Sequence, residues 1–349
     1  MADTDATLPG IDREKVSAWM GDNIPGATAP FTFTLVAGGR SNLTYRVDDA
    51  AGRAVVLRRP PTGHVLATAH DMGREHRVIA AVGPAGVPVP EALGLCTDDA
   101  VNGAPFYVMS FVDGHILRNE AEATAALDEP GRRQAAESLV ATLAQIHAVD
   151  VDAVGLGDLG RREGYIARQL KRWYAQYQAS RDQGNGPDVQ LIDEVHDALL
   201  ADIPAQGAPS LVHGDYRLDN TVVGHDNRIA AVLDWELCTL GDPLADLGAL
   251  LAYWAEPGQA AALGATPTTA PGFPARAEVV ELYARASGRD VSRVSYYVAF
   301  AYWRLACILE GVYVRYANGA MGNDGFDYTG YPPAIEHLAR QASDTLARA

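Results

Sequence analysis

The chain has 349 residues, 48% hydrophobic and 21% charged, which is enough apolar material for two domains or one large two-lobed one and excludes a disordered chain. Its 44 Asp and Glu against 28 Lys and Arg leave a formal charge of -16. That balance argues against general nucleic-acid binding, which needs clustered cations against phosphates, while a local basic site for a small phosphate ligand stays open. The most apolar stretch, residues 249–255, ends at Glu256-Pro257, short of the ~20 residues of a membrane span. Residues 1–10 carry neither the basic nor the apolar region of a secretory signal. Cys96, Cys238 and Cys307 are scattered, form no C-x-x-C pair, and fit a reducing cytosol. A cytoplasmic enzyme is the expectation.

Residues 11–24 read as a short amphipathic helix, with Asp12 as N-cap and Val16, Trp19 and Met20 on one face. A Pro/Gly/Ala linker runs to Pro30, and β-rich runs follow at Phe31–Val36, Leu43–Val47 and Ala54–Leu57. Gly38-Gly39 and Asp48–Gly52 supply the turns. Residues 70–82 switch to helical period through Met72, Glu75, Ile79 and Val82. Two more strands are predicted near Ala92–Cys96 and Phe106–Phe111, completing a small antiparallel sheet with one helix packed on it. Beyond Asp113-Gly114 helical patterns dominate, at 130–148, 162–184, 188–202, 243–255, 276–287, 291–317 and 332–348. Short β-type runs interrupt them at Ser210–Val212, Thr221–Val223 and Ile229–Leu233. The fold class is therefore α+β in two lobes, residues 1–112 and 113–349, with Glu256–Pro274 as a mobile loop or insertion. The aromatic-rich segments 165–177 and 296–316 recur at helical spacing and read as core rather than as a substrate platform.

The most informative stretch is Leu211-Val212-His213-Gly214-Asp215-Tyr216-Arg217-Leu218-Asp219-Asn220, a loop between two short strands. Further on, the run Ile229–Leu233 delivers Asp234 at a strand end, followed by Trp235-Glu236. Phosphoryl transfer needs one carboxylate to orient a hydroxyl and accept its proton, and a second to hold Mg²⁺ against the phosphates. An Asn amide oxygen can complete the metal site. Asp215, Asp234 and Asn220 supply that set, and the Asp215-to-Asn220 spacing matches the H-R-D-x-x-x-x-N loop of kinases, with Gly214 in place of Arg.

H-G-D-x-x-x-x-N followed by L-D-W-E resembles the aminoglycoside/choline phosphotransferase family, whose fold is similar to that of protein kinases. Gly241–Gly248 resembles the segment that begins the next helix there, Phe106–Gly114 its hinge, and Gly38–Tyr45 its phosphate loop. Leu57-Arg58-Arg59-Pro60-Pro61 is similar to the subgroup of phosphotransferase domains that occur alone or joined to acyl-CoA dehydrogenases. The resemblance implies a two-lobed kinase-like fold, ATP or GTP as phosphoryl donor, Mg²⁺, and a small-molecule hydroxyl acceptor. It assigns Asp215 as base, Asn220 and Asp234 as metal ligands, and Ser41 with nearby backbone amides as the cover over the β/γ-phosphates. The Ser110 carbonyl and Val112 N–H would meet the adenine edge. His213 would orient its loop rather than act as base, and Asp246 would brace that loop or simply stand at a helix end.

The pattern departs at the third strand, where kinases carry a phosphate-binding Lys. Here the position is Arg58, with Glu75 as its natural partner; the only lysines are Lys15 and Lys171. Arginine keeps the charge with a longer, planar fork. The alternative is an exposed Arg58 with Arg59 turned inward. The missing Lys motivates a second functional reading, a nucleotide-binding pseudokinase without turnover. A third, a dinucleotide-dependent oxidoreductase, lacks any helix-opening G-x-G-x-x-G. The acceptor is open between an aminoglycoside and a hydroxylated acid or acyl compound.

Overall fold

The structure, a computed structural model, describes residues 8–36, 42–62, 71–259, 261–320 and 326–348. They form two compact units. One comprises the chain up to Gly114 together with Ala230–Cys238; the other comprises His115–Ile229 and everything from Thr239 onward.

The first unit is built on a five-stranded antiparallel sheet of order β1-β2-β3-β5-β4. Its strands are β1 (Thr32–Leu35), β2 (Leu43–Asp48), β3 (Ala54–Arg59), β4 (Ala92–Cys96) and β5 (Phe106–Ser110). Three helices accompany them: α1 (Arg13–Asn23), α2 (Met72–Val82) and the single turn α3 (Asp99–Asn102). Asp12 and Asp71 cap α1 and α2, their side chains accepting from the amides of Lys15 and Arg74. Strand alternation sends Tyr45, Val47, Val55 and Leu57 to one face, where they pack with Val16, Met20 and Ile24 of α1. Val56, Tyr107 and Met109 go to the other, with Met72 and Ile79 of α2. Where one helix on the sheet was expected, both faces are covered. This explains the unbroken apolar run of β5, a strand buried on both sides. Gly94 permits the approach of α1, since a Cβ there would lie 2.9 Å from Ile24 Cδ1.

Residues 230–238 join this unit although a boundary near 112 assigns them to the helical part. The Val232 N–H donates to Pro88 O at 2.8 Å, and the residues after it meet charged groups of β3 and α2. A run so distant in sequence is recruited by pairing that no local pattern records.

The second unit is mainly helical: α4 (Glu120–Ala126), α5 (Glu129–His147), α6 (Tyr165–Arg181), α7 (Leu191–Ala201), α8 (Leu244–Tyr253), α9 (Arg276–Ser287), α10 (Val294–Ala317) and α11 (Tyr331–Leu346). Short strands β6 (Ser210–Val212) and β9 (Thr239–Gly241) pair antiparallel; β7 (Thr221–Val223) lies between them in sequence, and β8 (Ile229–Val232) begins at the last residue of this unit before 230–238. α10 is long and apolar enough to cross a membrane, yet 78% of its apolar window is buried inside the protein, packed by α6, α8 and α11. Tyr296, Tyr297, Tyr302 and Trp303 are core residues of it. Gly248 on α8 allows α10 to come close: a Cβ there would stand 2.5 Å from Tyr297 O. Within the segment 256–274, the Thr268 hydroxyl bridges both backbone groups of Ala255, and Trp254 Nε1 donates to Pro274 O.

α10 also buries Glu310, at 1% exposure. Burial pushes its carboxyl up to about 7, with Arg181 and Ser180 offsetting only part of the effect. An acid whose folded pKa exceeds its unfolded one costs stability as pH rises from the unfolded value through the folded one. Glu310→Gln should therefore stay closer to wild type in stability at pH 5 and gain on it by about 2 kcal/mol between pH 5 and pH 8. Thermal melts across that range check it, and an equal effect at both pH values would contradict the burial argument.

Candidate active site

Two polar clusters stand out, one in each unit. In the second unit, β6 pairs with β9 in the register Ser210↔Gly241, Leu211↔Leu240, Val212↔Thr239. The chain leaves β6 into the loop 213–220 and leaves β9 into α8, whose first turn carries Asp246. The pairing thus seats the Asp246 carboxylate under the loop, where it accepts from the amides of His213 (2.7 Å) and Gly214 (2.8 Å). His147, at the end of α5, places Nε2 3.3 Å from Asp246 Oδ2, and its Nδ1 lies 2.8 Å from the Tyr283 hydroxyl. The network assigns the tautomer: Nε2–H donates to Asp246 and Nδ1 accepts from Tyr283. Burial holds His147 below its ordinary range and so neutral. Burial alone would raise Asp246, but the bond from His147 and the loop amides outweigh it and keep the carboxyl low.

The braced loop then arranges its own side chains. Gly214 sits at φ 89°, a region that suits glycine, and Arg304 Nη2 donates to its carbonyl at 3.0 Å. The Asp215 amide donates to His213 Nδ1 at 3.2 Å. Asn220 Nδ2 donates to Asp215 at both its carbonyl and Oδ2, each at 2.8 Å. With its N–H₂ committed, the Asn220 amide oxygen is the atom left to serve as a ligand. Arg217 bridges Asp215 (3.3 Å) and Asp219 (2.6 Å) and lies 4.8 Å over the Tyr253 ring. Beside it opens a cavity of about 200 Å³ lined among others by Arg118, Arg217, Asp219, Tyr253 and Trp254.

The first unit holds the other cluster. Arg58 lies mid-sheet on β3, opposite Thr44 on β2 and Tyr107 on β5, at 9% exposure. Its Nε is 3.2 Å from Glu75 Oε2 on α2, and its Nη2 is 2.5 Å from Asp234 Oδ1 and 3.8 Å from Glu236 Oε2. The Tyr107 hydroxyl donates to Glu75 at 2.6 Å, and Asn42 Nδ2 donates to Glu236 at 2.9 Å. Burial works against the Arg58 charge, but Glu75, Asp234 and Glu236 outweigh it and keep the guanidinium protonated. Burial likewise pushes the Glu75 carboxyl up, opposed by Arg58 and Tyr107. Asp234 adopts left-handed backbone (φ 61°, ψ 61°), uncommon outside glycine and a mark of functional sites. Glu75, Asp234 and Glu236 each offer one carboxylate oxygen, all within 4.8 Å of one another, a donor set suited to a hard divalent cation.

The sequence profile described as phosphotransferase enzyme family matches residues 32–282. The chain belongs to that family. Rat acyl-CoA dehydrogenase family member 11 is 35% identical over 331 residues, covering 91% of this phosphotransferase chain and 41% of the rat protein; the chain therefore spans less than half of that relative. Among solved structures, a Ralstonia eutropha protein assigned to the aminoglycoside phosphotransferases is 31% identical, with TM-score 0.78, covering 95% of this chain and 98% of its own. A spectinomycin phosphotransferase in complex with ADP and spectinomycin shares the fold at 11% identity, TM-score 0.62, with coverage of 96% and 98%. The kinase-like fold expected from the motifs is thereby shown.

Of the residues singled out from the phosphotransferase motifs, the structure joins Asp215 to Asn220 in one unit and Arg58, Glu75 and Asp234 in the other. Ser110 ends β5, its hydroxyl accepting from the Glu91 amide, and Val112 follows. Ser41 and the Gly38-Gly39 pair lie outside the described residues. The reading with Arg58 exposed does not hold: Arg58 and Arg59 are both buried. Arg59 is spent on the carbonyls of Gly10, Pro60 and Asn102. Sequence reasoning gave no role to Glu236, Arg217, Arg304 or His147. The first stood in view within L-D-W-E; His147 carries no local signal.

Asp246→Asn keeps the shape but removes the charge and one acceptor, leaving a buried loop amide facing an N–H₂. A loss of about 2–3 kcal/mol is expected in urea unfolding, by the usual cost of an unpaired buried polar group. An unchanged midpoint and slope would mean the loop does not depend on this carboxylate.

Proposed function

We propose that this phosphotransferase moves the γ-phosphoryl group of ATP, or GTP, to a hydroxyl of a small molecule, with Asp215 as base. The observation that supports it most is the braced loop, which holds the Asp215 carboxylate between the Asn220 amide and the Arg217 guanidinium. Such pre-positioning is most of what phosphoryl transfer asks of a protein. The acceptor hydroxyl would give its proton to Asp215 as its oxygen bonds to the γ-phosphorus. The bond from that phosphorus to the β–γ bridging oxygen breaks, and the nucleoside diphosphate leaves. Asn220 and Asp234 are the residues that would hold Mg²⁺, which when bound neutralises charge on the β/γ-phosphate oxygens. The Ser110 carbonyl and Val112 N–H would take the adenine edge, and Ser41 the phosphates. The ADP held by the spectinomycin enzyme supports a nucleoside triphosphate as donor.

For the acceptor, the cavity beside Arg217 favours a hydroxylated acid or acyl compound over an aminoglycoside. Arg118 and Arg217 bring guanidinium donors for a carboxylate or thioester carbonyl, each already held by acid, Arg118 by Glu122 and Arg217 by Asp215 and Asp219. Leu250, Tyr253, Trp254 and Leu263 add an apolar wall for a carbon chain. The likeness to acyl-CoA dehydrogenase family proteins points the same way. A cytoplasmic setting belongs to this proposal, supported by three buried cysteines that form no disulfide.

The test is mass-spectrometric: purified protein, ATP and Mg²⁺ with a panel of hydroxylated acids, their acyl thioesters and aminoglycosides, scored for a phosphoryl mass increment. Asp215→Ala should cut turnover by about 10²–10⁴-fold, the usual worth of a general base, with ATP affinity unchanged. Turnover surviving that change removes Asp215 from the role. ATP binding with no turnover across the panel would favour the pseudokinase.

A further inference from the structure

We propose that Arg58 stands in for the divalent cation in the nucleotide-free protein, its guanidinium occupying Asp234 until a cation displaces it. The proposal rests on the reading of Asp234 as a cation ligand. Arg58 sits where a cation would: its Nη2 lies 2.5 Å from Asp234 Oδ1 and 3.8 Å from Glu236 Oε2. Three carboxylate oxygens within 4.8 Å of one another have the spacing found around one ion with ligand distances of roughly 2.0–2.6 Å. Two further oxygens on residues of this cluster, Glu75 Oε1 and Asn42 Oδ1, are buried without a hydrogen-bond partner; Glu75 pairs with Arg58 through its other oxygen and Asn42 donates to Glu236.

The shape of arginine makes the exchange local. Nε lies 3.2 Å from Glu75 Oε2 as an ion pair without hydrogen-bond geometry, while the far end of the fork, Nη2, donates to Asp234 Oδ1. Loss of the Nη2 contact alone frees Asp234 and leaves Arg58 tethered to α2, with its charge available for phosphate oxygens. A lysine has one ammonium for both carboxylates and cannot divide the two tasks between different nitrogens. Arg58 and the cation are therefore competitors for one carboxylate, and competition is a coupling free energy that lowers the affinity for each.

The experiment is a Mn²⁺ titration of the nucleotide-free protein, read by electron paramagnetic resonance, on wild type, Arg58→Gln, Arg58→Lys and Asp234→Asn. Removing the competitor should tighten Mn²⁺ binding by about tenfold in Arg58→Gln, within the usual 5–150-fold span of such couplings, and by less in Arg58→Lys. Asp234→Asn should abolish the site. Because Arg58→Gln strips a buried charge and could unfold the sheet, wild type supplies a second readout. The Arg58 Nε–H resonance, assigned by its loss in Arg58→Lys, should shift when Mg²⁺ is added. Unchanged or weaker Mn²⁺ binding in both Arg58 variants, or an Arg58 resonance indifferent to Mg²⁺, overturns the proposal while leaving the phosphotransferase reading intact. Mn²⁺ binding indifferent to Asp234→Asn overturns this proposal and the metal assignment together.

Discussion

One buried carboxylate organises the helical unit. Asp246 is fully enclosed, and a charge there is tolerable only because two backbone amides and the neutral imidazole of His147 converge on it. The convergence also works outward. The amides it satisfies belong to the loop that carries Asp215, so the loop cannot relax without stranding a buried charge. Tyr283 fixes the imidazole, and Ser210 and Arg289 both donate to the His147 carbonyl, extending the brace from α9 to β6. A loop held from beneath in this way presents its upper side chains at little further cost in conformational entropy.

The sheet unit meets the same constraint with opposite sign. A guanidinium buried mid-sheet must be compensated, and Arg58 draws carboxylates from α2 and from residues 234–236 to itself. The left-handed backbone at Asp234 is the conformational cost of bringing that side chain round, offset by a charge-assisted bond. A strand arginine is thus the hub of its unit, whereas its neighbour Arg59 does no more than satisfy carbonyls at the sheet's margin. One-residue alternation along β3 separates the two fates.

Much of this was legible from residues alone. The longer helices appear within a few residues of their predicted spans, because apolar period and capping side chains act locally: 276–287 matches α9, and 130–148 lies one residue from α5. The elements not anticipated, α3, α4 and β9, are short, three to seven residues, too few to display a period. The burial of α1 on the sheet is hidden in the sequence for another reason. Its apolar face was visible, but the partner surface exists only once five strands are assembled.

The same division holds at the site. Sequence by itself determined the chemical inventory: H-G-D-x-x-x-x-N, L-D-W-E, an arginine where a lysine is customary, and the strand–loop–strand order that keeps Asp215 and Asn220 within reach of each other. Those are short-range facts, settled by spacing along the backbone. Only tertiary structure decided that His147, many residues upstream, would meet Asp246, that Arg58 would grip Asp234 as well as Glu75, and that Glu236 would join them. Exposed helix charges pair at local spacing, but the partners of buried charges are chosen by burial, which forces every enclosed ion to find compensation wherever the fold brings one near.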